Sequence, residues 1–505
     1  MKQHLLTSIY AALLLSHGSS LLAENLIPGA PFTDHMVLQR DMPVPVWGKA
    51  KPGKDVHVQF GKQHKVATAD EAGKWMLTLD PLPGNSTGAP FHIRSGEERI
   101  TLSDVVAGEV WICSGQSNMG MGRKSVPELN ELSEANIRSF NVERTVAFEE
   151  QDTLQGSWKL VGPDSAVAFG FAHFLKKETE FPVGILLSCW GSSSIEAWMP
   201  RDMTNQLSHF KIIMDEWDIN TEAQDQIKAA LAKDQWTRNE DIFMRRQSCI
   251  VYNAMMKPLA PFACRGLVWY QGERNTRYIS GMPKEPWFHR VAGIREYDET
   301  LKAWMQRYRK EWKREDFHFL VVMLPGYGPV LNTGPTQEAD HPTAHSWAWM
   351  RESQLAALEL PHTGVANTID LGDVRNIHPR DKRPIGERLA LLAARDTLER
   401  DIPAQGPVYT HVENRGNQLV VHFQYAKGLK TTDGKAPRAF WIAEDQAPTW
   451  HPARAEIQGE TIVLHTPGVA KPTHVRYAFS GKPDVNLVNG AGLPTYPFRT
   501  DKREP

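Results

Sequence analysis

The chain has 505 residues, more than one hydrophobic core usually serves, so two or three domains are expected. An apolar fraction of 41% with 23% charged residues belongs to a globular protein and excludes a disordered one. A net charge of −2 with no long basic block argues against a nucleic-acid partner.

In chain order, the first residues read MKQHLLTSIYAALLLSHGSSLLAENL. Lys2 supplies a positive start, Leu5 to Ser16 an apolar run and Ser19 to Ala23 a small-residue exit, the pattern of a signal peptide cut after Ala23. The run falls short of the ~20 residues a bilayer requires. An exported protein, periplasmic or extracellular and without a membrane partner, is the expectation. Residues 24–105 alternate apolar and polar positions between Gly, Pro and Asp, which predicts a small β domain.

Residues 106–404 behave differently. Apolar runs recur at 108–113 (GEVWIC), 183–189 (VGILLSC), 265–270 (RGLVWY), 317–324 (FHFLVVML) and 363–370 (TGVANTID). Between them lie helical patterns such as 299–312, where Leu301, Trp304, Met305, Tyr308 and Trp312 share one face, and 387–400. Strands alternating with helices predict a parallel sheet covered on both faces, with its site at the loops after the strands. Residues 405–505 return to short strands between turns and form a second β-rich region. Of the four cysteines, Cys113 and Cys189 end apolar runs, while Cys249 and Cys264 are open to pairing in an oxidising compartment.

The residues after each run carry the chemistry. Gly115-Gln116-Ser117-Asn118 follows the first, and places a hydroxyl where a helix could begin. Alone it is an ordinary capping serine, since it lacks the G-x-S-x-G pattern. Gly191 and Ser192 to Ser194 follow the second with backbone N–H groups in a tight loop, as an oxyanion hole needs. After the third, Gln271 offers a side-chain amide donor and Glu273 a brace. After the fifth, His378, stiffened by Pro379, stands where a general base belongs. A hydroxyl, N–H donors and an imidazole at separate strand ends describe acyl transfer. The segment 325–347 is long enough to overhang such a site, and its His341 and His345 look like a metal pair that Pro342 disfavours.

SGQSNM, SCWGSSSIEAW, VYNAMMKPL, VWYQGERN, RESQ (351–354) and IHPRDKRPIGERLA, in this order, resemble the successive motifs of the sialate O-acetylesterases, carbohydrate esterases of the SGNH hydrolase superfamily. The flanks FTDHMVLQRDMPVPVWGKA and VRYAFSGKPDVNLVNGAGLPTYPFRTD extend the likeness over nearly the whole mature chain. The resemblance implies an α/β, flavodoxin-like three-layer α/β/α domain with N-terminal and C-terminal β domains. It implies Ser117 as nucleophile, His378 as base, Gly191, Ser192 and Gln271 as oxyanion donors, and no metal or organic cofactor. Its substrate would be an O-acetylated sugar or polysaccharide, with Glu273, Asn275 and Trp198 as substrate contacts. Relatives often have Gly-Gly-Thr at 191–193, so Ser192 matters if that position needs a positive φ. Arg274 replaces a small residue, where it could reach a substrate carboxylate or pair at the surface, and the surface is the expectation. Relatives often carry Asp where this chain has Asn376, and the superfamily's acid falls on Arg375, so Asp373, or else Asp370, is left as the orienting acid. A Ser–His dyad steered by a carbonyl or Asn376 is the other arrangement. The displaced acid also admits a second function, a weak or inactive carbohydrate-binding protein on an esterase scaffold.

Overall fold

The computed structural model describes residues 26–277, 293–294, 296–328, 342, 345–445, 449–465, 469 and 471–502. The leader, His341 of the histidine pair and most of the 325–347 segment lie outside the described residues. No helix among the described residues is long and apolar enough to cross a membrane.

Alternating patterns at the start become antiparallel strands: β1 (Val44–Lys49), β2 (Asp55–Phe60), β3 (Gln63–Thr68), β4 (Lys74–Leu79) and β5 (Asn85–Ser95). In β4 the residues are exposed and buried by turns, the signature of a sheet with one wet face. The next strand, β6 (Glu98–Gly115), is 18 residues long. Its first part pairs antiparallel with β5, and its second part enters the central sheet. The expected division at residue 105 therefore falls inside one unbroken strand, not in a linker.

The central strands are β7 (Ile137–Asn141), β8 (Val183–Cys189), β9 (Gly266–Tyr270), β10 (His318–Val322) and β11 (Thr363–Ala366). With β6 they run parallel in the order β7-β8-β6-β9-β10-β11. Their near-continuous apolar sequences follow from burial on both faces. Four of its helices are α1 (Ala166–Glu178), α2 (Tyr297–Trp312), α3 (His345–Leu355) and α4 (Arg383–Thr397). Ser165 caps α1 by accepting from Ala168 N at 3.1 Å. The predicted apolar face of α2 is buried at Leu301, Trp304, Met305, Tyr308 and Trp312. Helices α1 and α4 meet where a Cβ on Gly386 would fall 2.6 Å from the Gly170 carbonyl carbon, so glycine permits this approach. That contact matters because α4 follows the His378 loop.

Buried ions tie the flanking regions to this sheet. Glu109 on β6 takes Arg40 Nε at 2.5 Å and Arg265 Nε at 2.8 Å, joining the N-terminal region to the start of β9. Arg351 of the RESQ stretch donates to Leu324 O and, across to the C-terminal region, to Ser480 O and Gly481 O. Gln354 accepts from Leu324 N and donates to Gln271 O, both at 2.8 Å. The C-terminal region holds two four-stranded sheets, one of them from Val408–Asn414, Gln418–Gln424, Thr461–His465 and Arg454–Gln458. All four cysteines are free and buried, so Cys249 and Cys264 do not pair.

Candidate active site

Strand β6 ends at Gly115, whose φ of 136° only glycine adopts readily, and Tyr270 O would lie 2.1 Å from a Cβ there. The chain then turns once, closed by Gly120 N donating to Gln116 O at 3.0 Å. Ser117 stands half-buried in this turn, so it is not the start of a long helix. Across from it, His378 is carried by the 371–382 loop between β11 and α4. The Ser117 Oγ and His378 Nε2 atoms are 2.8 Å apart, although 261 residues separate them in the chain. Burial and the Lys382 cation both hold the His378 pKa below its ordinary value. A neutral imidazole at hydrogen-bond distance from a hydroxyl can take its proton.

The third participant is the loop after β8. A Cβ on Gly191 would come 3.3 Å from Ser117 Cβ and 3.8 Å from Arg245 Nη1, so this glycine lets the loop close on the serine. Ser192 has φ 60°, a left-handed conformation that costs a non-glycine residue about 1 kcal/mol. Among the described residues, none accepts a hydrogen bond from the backbone N–H of Ser117, Gly191 or Ser192. Three unspent donors thus flank the hydroxyl.

Beneath them lies a buried polar lattice. Asn118 donates to Glu273 Oε1 at 2.5 Å and to Ile377 O at 3.0 Å, and accepts from Lys382 Nζ at 2.6 Å. One side chain thereby fastens the residue after Ser117 to the residue before His378. Burial raises the Glu273 carboxyl to about 7 and lowers the Lys382 ammonium to about 8. The Lys382 ammonium also lies 5.2 Å from the centre of the Tyr270 ring.

Several expected roles do not fit these positions. Gln271 is fully buried, its amide nitrogen turned to Asn275 Oδ1 (2.8 Å), Gln116 Oε1 (3.2 Å) and Ser193 O (3.3 Å). Tyr297 OH donates to its carbonyl oxygen at 2.8 Å, which fixes that orientation. Gln271 is thus committed to partners below the pocket, against its expected place as an oxyanion donor. Asn275 receives Gln271 and Ile195 N and donates to the buried Glu196 carboxylate, and Glu273 is engaged by Asn118, so neither faces a substrate. Trp198 is 0% exposed, its indole N–H on Ser193 Oγ and its ring edge-on to Trp269. Arg274 is buried, against the surface placement expected of it.

The acid is the largest correction. Asp373 Oδ1 accepts Arg375 N at 2.6 Å and Asn376 N at 2.9 Å, so its carboxylate shapes the turn. Asp370 takes both terminal nitrogens of Arg388. Asn376 Oδ1 accepts the backbone N of His378 at 2.9 Å. Among the described residues no carboxylate is hydrogen-bonded to the imidazole, whose contact is with Ser117 Oγ.

Gln116, Asn118 and Lys382 were not foreseen as site residues. Gln116 Oε1 receives Gln271 Nε2 and Arg274 N, which leaves its amide nitrogen an uncommitted donor beside Ser117. Its position next to the serine was the available signal. Lys382 sits in an Arg- and Lys-rich stretch that reads as surface charge.

Residues 107–394 match the family model described as carbohydrate esterase, sialic acid-specific acetylesterase. Sialate O-acetylesterase of Rattus norvegicus is 26% identical over 89% of each chain. That of Homo sapiens is 25% identical, over 83% of this chain and 80% of the relative. Among solved structures, a carbohydrate acetylesterase from Xanthomonas citri superposes with a TM-score of 0.78 at 30% identity, covering 95% of this chain and 100% of that one. The protein is a carboxylic ester hydrolase. Within that class, the chain belongs to the sialic acid-specific acetylesterase family of carbohydrate esterases.

Proposed function

We propose that the protein is an exported carbohydrate O-acetylesterase that removes acetyl groups from sugar hydroxyls through a Ser117–His378 dyad. With the proton on Nδ1, His378 Nε2 accepts the Ser117 proton as Oγ attacks the acetyl carbonyl carbon. The negative charge that develops on the carbonyl oxygen meets the N–H groups of Ser117, Gly191 and Ser192 and the Gln116 amide. Collapse breaks the ester C–O bond, and His378 returns its proton to the leaving sugar oxygen. Water, deprotonated by the same imidazole, then releases acetate from the acyl-serine. An orienting carboxylate is worth ~10⁴-fold in the triad, so a dyad steered by backbone contacts is a slower catalyst.

The strand order β8-β6-β9-β10-β11, which is 2-1-3-4-5 among these five, supports reading the centre as a flavodoxin-like, SGNH-type three-layer domain. On that reading the units are 24–105, 106–404 and 405–505. Ser117 and the loop after β9 then flank the switch point where such sheets bind ligands.

The 2.8 Å approach of Ser117 Oγ to His378 Nε2, in a chain of acetylesterase ancestry, carries the proposal. Ser117→Ala is expected to abolish hydrolysis of 4-nitrophenyl acetate with the melting temperature unchanged; activity at the wild-type level would remove Ser117 from its role. Acetate release from acetylated sialic acids, xylan and pectin fragments identifies the sugar.

A further inference from the structure

A second concavity lies away from Ser117. It is a cleft of about 550 Å³ between the β1–β4 face and the 257–261 segment. That segment precedes β9, whose opposite end, Tyr270, pairs with Gly115. Four strand residues at about 3.3 Å each separate the two ends, so the cleft and the candidate active site open at opposite ends of the sheet, roughly 15 Å apart or more.

Register decides what the cleft presents. In the antiparallel β1–β4 pair, Trp47 stands opposite Met76 and Lys49 opposite Lys74, and all four side chains share one face. Trp47 is half-buried, held edge-on by Phe32 at 4.8 Å, and Met76 is 47% exposed. Asp152 joins the polar half, 2.9 Å from Lys74 Nζ and 3.9 Å from Lys49 Nζ. Trp75, opposite Gly48, turns to the other face of the pair, where it is 3% exposed and backs the cleft from within the core.

An indole and a thioether side by side, bordered by ammonium donors and a carboxylate acceptor, match a pyranose ring. Its C–H face packs on the apolar pair and its hydroxyls meet the charged rim. The volume is within the range of pockets that hold a ligand of disaccharide size. None of the lining residues is a histidine, cysteine or serine, so the cleft offers binding without acyl transfer. We infer that the cleft at Trp47, Met76, Lys49, Lys74 and Asp152 is a second, non-catalytic saccharide site that holds a glycan chain on the enzyme. This inference rests on the carbohydrate-esterase reading only for its choice of probes.

Electrophoresis of the full-length protein through gels containing xylan, pectin or polysialic acid tests it. The wild type is expected to be retarded by at least one polymer. Met76→Glu, a change at an exposed position, is expected to weaken that retardation at least tenfold while 4-nitrophenyl acetate hydrolysis stays within twofold. Trp47→Ala should weaken it as much, judged against its melting temperature because Trp47 also packs on Phe32. No retardation by any of the three polymers, or retardation that Met76→Glu leaves intact, overturns the inference. Retardation lost in Met76→Glu by a protein that hydrolyses no ester would sink the catalytic proposal and leave this one standing.

Discussion

The loops that deliver Ser117 and His378 meet at one contact and are built in opposite ways. The turn after β6 is enclosed: Gln116 and Asn118 are buried on either side of the serine and hydrogen-bonded to partners from distant parts of the chain. The 371–382 loop is exposed from Asp373 to Asn376 and again at His378. It holds its shape through the Asp373 turn, the Asn376 contact, backbone bonds that Gly326 makes to Leu371 and Asp373, and the two bonds that Asn118 makes to Ile377 O and Lys382. Ser117 is thus enclosed by a lattice of side chains, whereas His378 rides on a loop tied largely through its backbone, and among the described residues no carboxylate is hydrogen-bonded to its ring. On the proposed mechanism, the backbone that carries the ring does the steering that an acid does in a triad.

The largest expected effect comes from removing the base itself. His378→Ala should lower kcat/KM on an acetyl ester by about 10³–10⁴-fold or more with little change in melting temperature, since the ring is only partly buried at the edge of the pocket. Asn118→Ala tests whether the enclosed loop steadies the exposed one. It strands the buried Glu273 and Lys382 and frees Ile377, so stability should fall by about 3 kcal/mol in denaturant titration, with kcat down at least tenfold. If kcat survives, the link between the loops is not what aligns the histidine.

A gentler change reads the electrostatics. The Lys382 cation and burial keep His378 neutral below the ordinary histidine value of 6.5, so the acid limb of kcat/KM should lie below that pH. Lys382→Met removes the cation, raises the imidazole pKa and should move the acid limb upward, lowering activity on the acid side but not at pH 8. The smallest effect concerns the third loop. Ser192→Gly relieves a left-handed serine at the expense of a more flexible unfolded chain, for a net gain of about 0.5 kcal/mol and kcat within twofold.

Legibility in the sequence followed local physics. Val183–Cys189 could be read to the residue because every position is apolar or small, whereas β6 was foreseen only in its apolar second half because its first half alternates. Ser117 and His378 could be placed because strand ends are where such sheets carry their chemistry, and the resemblance pointed to the same residues. Gln271, Asn275 and Trp198 were misassigned because adjacency to a motif does not say which way a side chain turns. Burial decides that, and all three are inside. The role of Lys382 was invisible, since only its packing under Asn118 and Tyr270 distinguishes it from the solvated charges around it.

Strand β6 has a consequence for how this protein can be divided or recombined. Because one backbone is both a hairpin arm with β5 and the innermost rail of the parallel sheet, a chain begun at residue 106 would lose the rail's leading half and leave Val106–Gly108 without their parallel partner Val37–Gln39. Exchange of the first hundred residues between relatives therefore succeeds only when the crossover falls after Gly115, so that the serine's own rail travels whole with its donor.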